Sequence, residues 1–112
     1  NAVFGPVWTI LYILMGLAAG LVWNVGPERS DVRRALAIYV LQLGLNVLWT
    51  LLFFGLRSPI AALVDILMLL GAIIWCMQVF GALRPAAGRL LLPYLAWVLF
   101  ASVLNTAIVA LN

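Results

Sequence analysis

The chain has 112 residues, 68% of them hydrophobic and 8% charged, with a mean hydropathy of +1.25, which lies outside the range of soluble domains. Its formal charge of +3 comes from six arginines against three acids, with no lysine and no histidine. The lack of histidine removes the commonest metal ligand, the usual haem axial ligand and the usual general base, so hydrolytic or metal-dependent chemistry is not expected.

Four apolar runs follow one another, at about 2–25, 35–55, 59–83 and 90–111. Each reaches the ~20 residues that cross a bilayer core of roughly 30 Å. Water is absent there, so every backbone group must be satisfied within the segment and each run is read as a helix. The expectation is an all-α membrane protein, a single transmembrane bundle over 1–112 with four spans.

In the first span Trp8, Tyr12, Met15, Ala19 and Trp23 recur at helical spacing. Trp8 and Trp23 lie near the span ends, where an aromatic belt is the ordinary explanation. Gly16-Leu-Ala-Ala-Gly20 is a GxxxG, which permits close helix approach and puts a homodimer among the candidate assemblies. The loop at 26–34 carries Arg29, Arg33 and Arg34. In the second span Tyr39, Gln42, Asn46, Trp49 and Phe53 recur at steps of 3, 4, 3 and 4, and of its strongly polar residues only Thr50 falls off that stripe. Gly44 is a further candidate for tight helix contact.

A short turn with Arg57 leads to the third span, where Asp65, Met68, Ala72, Trp75 and Gln78 or Val79 form the corresponding stripe. Asp65 is the one acid inside a span and hence a functional candidate. The structural alternative is that it reaches water or pairs with Arg57 near the span end. Gly71-Ala72 offers another small-residue contact. Cys76 is the chain's single cysteine, so no internal disulfide forms.

The loop at 84–89 adds Arg84 and Arg89. Five arginines on the first and third loops against one on the second predict that loops 26–34 and 84–89 are cytoplasmic. The arginines are thereby explained as topology signals, and nucleic acid is excluded as a partner. The last span reads LLPYLAWVLFASVLN at 91–105, with Tyr94, Trp97, Ala101 and Asn105 on one face. A polar, aromatic face gains nothing from lipid tails, so it is expected to look at other helices or at something held between them. Counting along the helices puts Trp8 ~3 Å beyond Pro6 and Trp97 ~21 Å from Leu111. On that reckoning Trp97 is the floor of a pocket whose walls include Trp8, Asn46 and Trp49. The reversed sterol pattern is met by Arg89, Tyr94 and Val98, a weak signal.

Three separated motifs carry a family likeness. Phe4-Gly5-Pro6-Val7-Trp8-Thr9-Ile10-Leu11-Tyr12 with Met15-Gly16 resembles the second helix of the TspO/MBR family (translocator protein, or peripheral-type benzodiazepine receptor). Leu45-Asn46-Val47-Leu48-Trp49-Thr50 with Phe53-Phe54 is similar to its third helix. Leu92-Pro93-Tyr94-Leu95-Ala96-Trp97, continuing to Leu104-Asn105 and Leu111-Asn112, resembles its fifth. The resemblance implies a five-helix bundle of which this chain supplies helices 2–5, without the first helix or the Trp-x-Pro-Pro lid loop after it. It further implies a bacterial-type membrane protein that binds porphyrins, sensing or transporting them, with sterols or isoquinolines as other flat hydrophobic ligands. Trp8, Asn46, Trp49 and Trp97 match pocket positions and Ala101 a small-residue lining position; Tyr12 lies beside them on the first-span stripe. Gln42 and Asn105 complete the set as polar members of the same faces. No cofactor is implied. Light-dependent porphyrin breakdown is the alternative, with Trp8 and Trp97 as oxidisable rings. A small multidrug exporter is a remote third, because such proteins need an acid in the first span and this one has none.

Overall fold

The computed structural model describes residues 4–111. Ala2 and Val3, at the start of the first apolar run, and Asn112, which ends the last motif, lie outside the described residues. The helices are α1 (Phe4–Trp23), α2 (Ser30–Thr50), α3 (Pro59–Leu83), α4 (Pro85–Leu90) and α5 (Leu92–Leu111). Four segments are long and apolar enough to cross a membrane, because α4 and α5 run together as one of them over Pro85–Leu111. The longest dimension of the bundle is 48 Å, enough for a bilayer with its headgroups.

Two segments begin earlier than hydropathy places them. α2 starts at Ser30 rather than near 35, because its first turn is charged: Asp31 Oδ1 accepts from the Val32 backbone N–H at 2.9 Å and Asp31 pairs with Arg29 at 2.7 Å. An acid there complements the positive end of the helix dipole. α4 similarly adds Pro85 and Arg89 ahead of the apolar run.

At its other end α2 widens into a π-helical turn, Leu51–Gly55. The Leu56 and Ser58 N–H groups then bond to the Leu51 and Leu52 carbonyls, both at 2.8 Å. Arg57 reverses the chain in the left-handed region at φ 52°, and Pro59 opens α3 from a position where its missing N–H costs nothing.

The helices form a ring. α2 packs along α3, and α3 packs against α4 and α5; α1 packs against α2 and α4 but barely touches α5. α2 and α5 face each other across a diagonal with no close backbone approach among the described residues. The core between them holds Met15, Val32, Ile66, Leu69, Phe80 and Val98, all fully buried.

The α2 stripe faces inward as its spacing predicts, with Gln42, Asn46 and Trp49 buried. The α3 stripe does not. Asp65 and Ala72 are buried, but Met68 and Trp75 are 54% and 43% exposed, and Gln78 is exposed as well. The buried face instead runs through Ala62, Ile66, Leu69, Ile73 and Phe80. Apolar residues cover both sides of a membrane helix, so spacing alone leaves its rotation open.

Within the chain, the tight small-residue contact lies elsewhere than at Gly44 or Gly71. A Cβ at Gly16, Gly20, Gly44 or Gly71 would meet nothing within 4 Å. The close approach is at Gly88 in α4, where a Cβ would lie 3.0 Å from the Gly81 Cα and 3.2 Å from the Met77 carbonyl oxygen of α3. Backbone atoms cannot rotate aside. Gly88→Ala is therefore expected to cost about 1–3 kcal/mol in thermal unfolding in detergent, whereas Gly71→Ala leaves stability unchanged or higher.

Candidate functional site

Polar side chains from three helices meet in the middle of the bundle. Tyr12 Oη on α1 donates to Asn46 Oδ1 on α2 at 3.1 Å, and Asn46 Nδ2 donates to Tyr94 Oη on α5 at 2.8 Å. Tyr94 Oη then donates to Gln42 Oε1 at 2.7 Å, and Gln42 Nε2 approaches the Met15 Sδ at 3.8 Å. Each hydroxyl spends its one proton and each amide uses both ends. The chain of bonds thus runs from α1 to α2, across to α5, and back.

A second bridge lies towards the α2–α3 turn. Trp49 Nε1 donates to Asn105 Oδ1 at 3.0 Å, and Asn105 Nδ2 donates to the Pro59 carbonyl at 2.9 Å, joining α2, α5 and α3. Four other hydroxyls bond to their own helices: Thr9 to the Gly5 carbonyl, Thr50 to the Asn46 carbonyl, Ser102 to the Leu99 carbonyl and Thr106 to the Ser102 carbonyl. Such back-bonding lets a polar residue sit in a membrane helix without a partner helix.

Aromatic rings flank these bridges. Trp8 stacks on Tyr12 at 5.7 Å and meets Trp97 edge to face at 6.4 Å, spanning the α1–α5 seam. Trp49 stacks on Phe53 at 5.0 Å, and Phe53 in turn meets Phe54 at 4.9 Å. Phe53 and Phe54 belong to the π-helical turn, so that irregularity builds the aromatic wall beside Trp49.

The contact between Trp8 and Trp97 corrects the depth reckoning. Counting from helix ends separates them by ~18 Å, but the rings are neighbours. The helix ends are not level: Asn105 bonds the first residue of α3, so the last turns of α5 overhang it by ~9 Å. Trp97 therefore lies level with Trp8 and not far below it. Tyr94, one turn before Trp97 on the α5 face, is fully buried in the polar bridges.

Among the other predicted residues, Asn46, Trp49, Gln42, Asn105 and Ala101 are buried and Trp8 and Trp97 half-buried, while Tyr12 is 43% exposed despite its hydrogen bond. Two surface grooves are lined by other residues, one by Gly16, Gly20, Asn24 and Leu90 and one by Arg29, Arg34 and Ala82. The reversed sterol pattern does not present one outward surface, because Tyr94 and Val98 are buried while Arg89 is exposed.

The profile of the TspO/MBR family matches residues 1–111. The chain belongs to the TspO/MBR family. It is 48% identical to the Tryptophan-rich protein TspO of Archaeoglobus fulgidus over 112 residues, covering 100% of this chain and 71% of that protein. It is 45% identical to the protein of the same name from Chlorobaculum tepidum, over 97% of this chain and 69% of the relative. The human Translocator protein is 42% identical over 92% of this chain and 62% of its own length. With four spanning segments, this TspO/MBR chain is an integral, multi-pass membrane protein.

One polar residue of this family member stands outside both bridges. Asp65 is 2% exposed, and neither carboxylate oxygen has a hydrogen-bond partner. It neither reaches the surface nor pairs with Arg57, which is exposed in the turn. The rotation of α3 turns Asp65 inward, away from the route to water that its sequence position near the span end suggests. An unpartnered buried carboxylate is costly. Asp65→Asn, which keeps the shape and removes the charge, is expected to raise unfolding stability by about 1 kcal/mol; a fall would reveal an ionic partner.

Tyr94→Phe strands the Asn46 amide donor and the Gln42 oxygen, both buried, and is expected to cost about 1–3 kcal/mol. Tyr12→Phe removes one bond from a half-exposed hydroxyl and is expected to cost about 0.6 kcal/mol. Melting both variants in the same detergent checks the order.

Proposed function

We propose that the chain binds a flat, hydrophobic tetrapyrrole of the porphyrin type against the tryptophans of the α1–α5 seam. The observation that carries this reading is the Trp8–Trp97 pair. Two large aromatic rings, on helices that otherwise barely touch, meet edge to face beside the hydrogen-bonded Tyr12, Asn46 and Tyr94. Aromatic surfaces grip a planar macrocycle by stacking and burial, and the half-exposed Tyr12 hydroxyl, whose oxygen can still accept, suits a pyrrole N–H at its edge. The family resemblance of the three motifs points to the same ligand class. The chain has no histidine, which suits a ligand held by shape rather than by an axial bond to iron. Sensing and transport both require this binding step.

Titrating the protein in detergent with protoporphyrin, while following tryptophan fluorescence, tests the reading. Saturable quenching is expected, with affinity about three- to tenfold weaker in Trp97→Ala and in Trp8→Ala. Trp75→Phe, on the exposed face of α3, should bind like the wild type. An unchanged signal in the wild type, or equal affinity in Trp97→Ala, overturns it.

A further inference from the structure

At the end of the bundle away from the α2–α3 turn, the first turn of α2 and the last turns of α3 enclose a cleft of about 240 Å³. Its two walls differ in chemistry. One is Arg29, Asp31 and Arg34; the other is Val79, Ala82 and Leu83.

The charges on the first wall are not equivalent. Arg29 is committed to Asp31 by two hydrogen bonds, Nε to Oδ1 at 3.1 Å and Nη2 to Oδ2 at 2.7 Å. Arg34 is exposed and enters no hydrogen bond or ion pair among the described residues. In the same two loops, 26–34 and 84–89, Arg33, Arg84 and Arg89 stand against Glu28 alone, so the loops' surplus is positive. A guanidinium fork with free donors matches a phosphate oxygen pair. The second wall is the continuation of a spanning helix, so it adjoins hydrocarbon.

We infer that this cleft is a binding site for an anionic phospholipid, with its phosphate on Arg34 and the upper acyl chain along Val79, Ala82 and Leu83. A water-soluble phosphate would gain nothing from the apolar wall. A zwitterionic headgroup would bring a second positive charge into a surplus of arginine, whereas an anionic one lacks it. The site is separate from the tryptophan seam and does not depend on porphyrin binding.

The protein is reconstituted in phosphatidylcholine vesicles carrying trace spin-labelled phosphatidylglycerol or spin-labelled phosphatidylcholine, and the motionally restricted fraction of each is read by electron paramagnetic resonance. The wild type is expected to retain phosphatidylglycerol over phosphatidylcholine, and Arg34→Gln to lower that preference about fivefold. Ala82→Trp keeps every charge but fills the cleft, and is expected to lower the preference as well. Arg57→Gln, at the opposite end, should leave it unchanged. Circular dichroism of each variant verifies the helix content. The proposal is overturned by equal retention of the two lipids in the wild type, or by an unchanged preference in Arg34→Gln. It is also overturned if Ala82→Trp behaves as wild type or Arg57→Gln loses as much, since either marks a general surface charge without a cleft. Displacement of phosphatidylglycerol by millimolar inorganic phosphate overturns it too, by showing an anion site indifferent to the lipid chain.

Discussion

The hydrogen bonds that Asn46 makes to Tyr12 and Tyr94 are the constraint around which the bundle is arranged. In lipid there is no hydrophobic force to press one apolar helix against another, and no water to accept a stray polar group. α2 and α5 do not approach backbone to backbone, so their relation is fixed by side chains that reach across: Asn46 and Gln42 to Tyr94, and Trp49 to Asn105. A rotation of α5 by one residue would carry Tyr94 and Asn105 off this face together and leave four buried polar groups unpaired. Each bond contributes little alone, about 0.6 kcal/mol on average in membranes. Their joint geometry selects one register.

The same bridges set the chemistry of the interior. They hold the backbones of α2 and α5 apart while keeping the space between them polar at defined points and aromatic elsewhere. Trp8 with Trp97, and Trp49 with Phe53, flank these bridges at interplanar angles of 86° and 15°. The π-helical turn at Leu51–Gly55 contributes by turning Phe53 over Trp49. The exposed cleft at the arginine-rich end has a different character, with charged residues of α2 on one wall and apolar residues of α3 on the other.

Much of this was legible in the sequence, and what was not has a physical cause. The number of spans follows from hydropathy, because lipid allows few alternatives to a helix. The α2 and α5 faces were legible because polar residues in hydrocarbon must turn inward: Gln42, Asn46 and Asn105 mark the inside without ambiguity. α3 carries two polar residues that point opposite ways, Asp65 inward and Gln78, close to the helix end, outward, so its stripe gives no consistent direction and Met68 and Trp75 fall on the exposed side. Gly16 and Gly20 drew attention as a motif, yet the contact that needs glycine is between Gly81 and Gly88, seven positions apart on different helices and invisible to any local pattern. The level of Trp97 is hidden from the sequence, which counts distance from a helix end and cannot tell how far one end overhangs another.

The backbone contact between Gly81 and Gly88 has a mechanical consequence. A methyl group added at Gly88 would lie 3.0 Å from the Gly81 Cα, so α4 and α3 already meet backbone to backbone and cannot draw closer at this end. Elsewhere the helices are joined by amides and hydroxyls that reach across, and α1 meets α5 through the rings of Trp8 and Trp97. The bundle is thus clasped in two ways, by backbone against backbone at one end and by side chains over the rest, and a substitution at Gly88 acts on the first without touching the second.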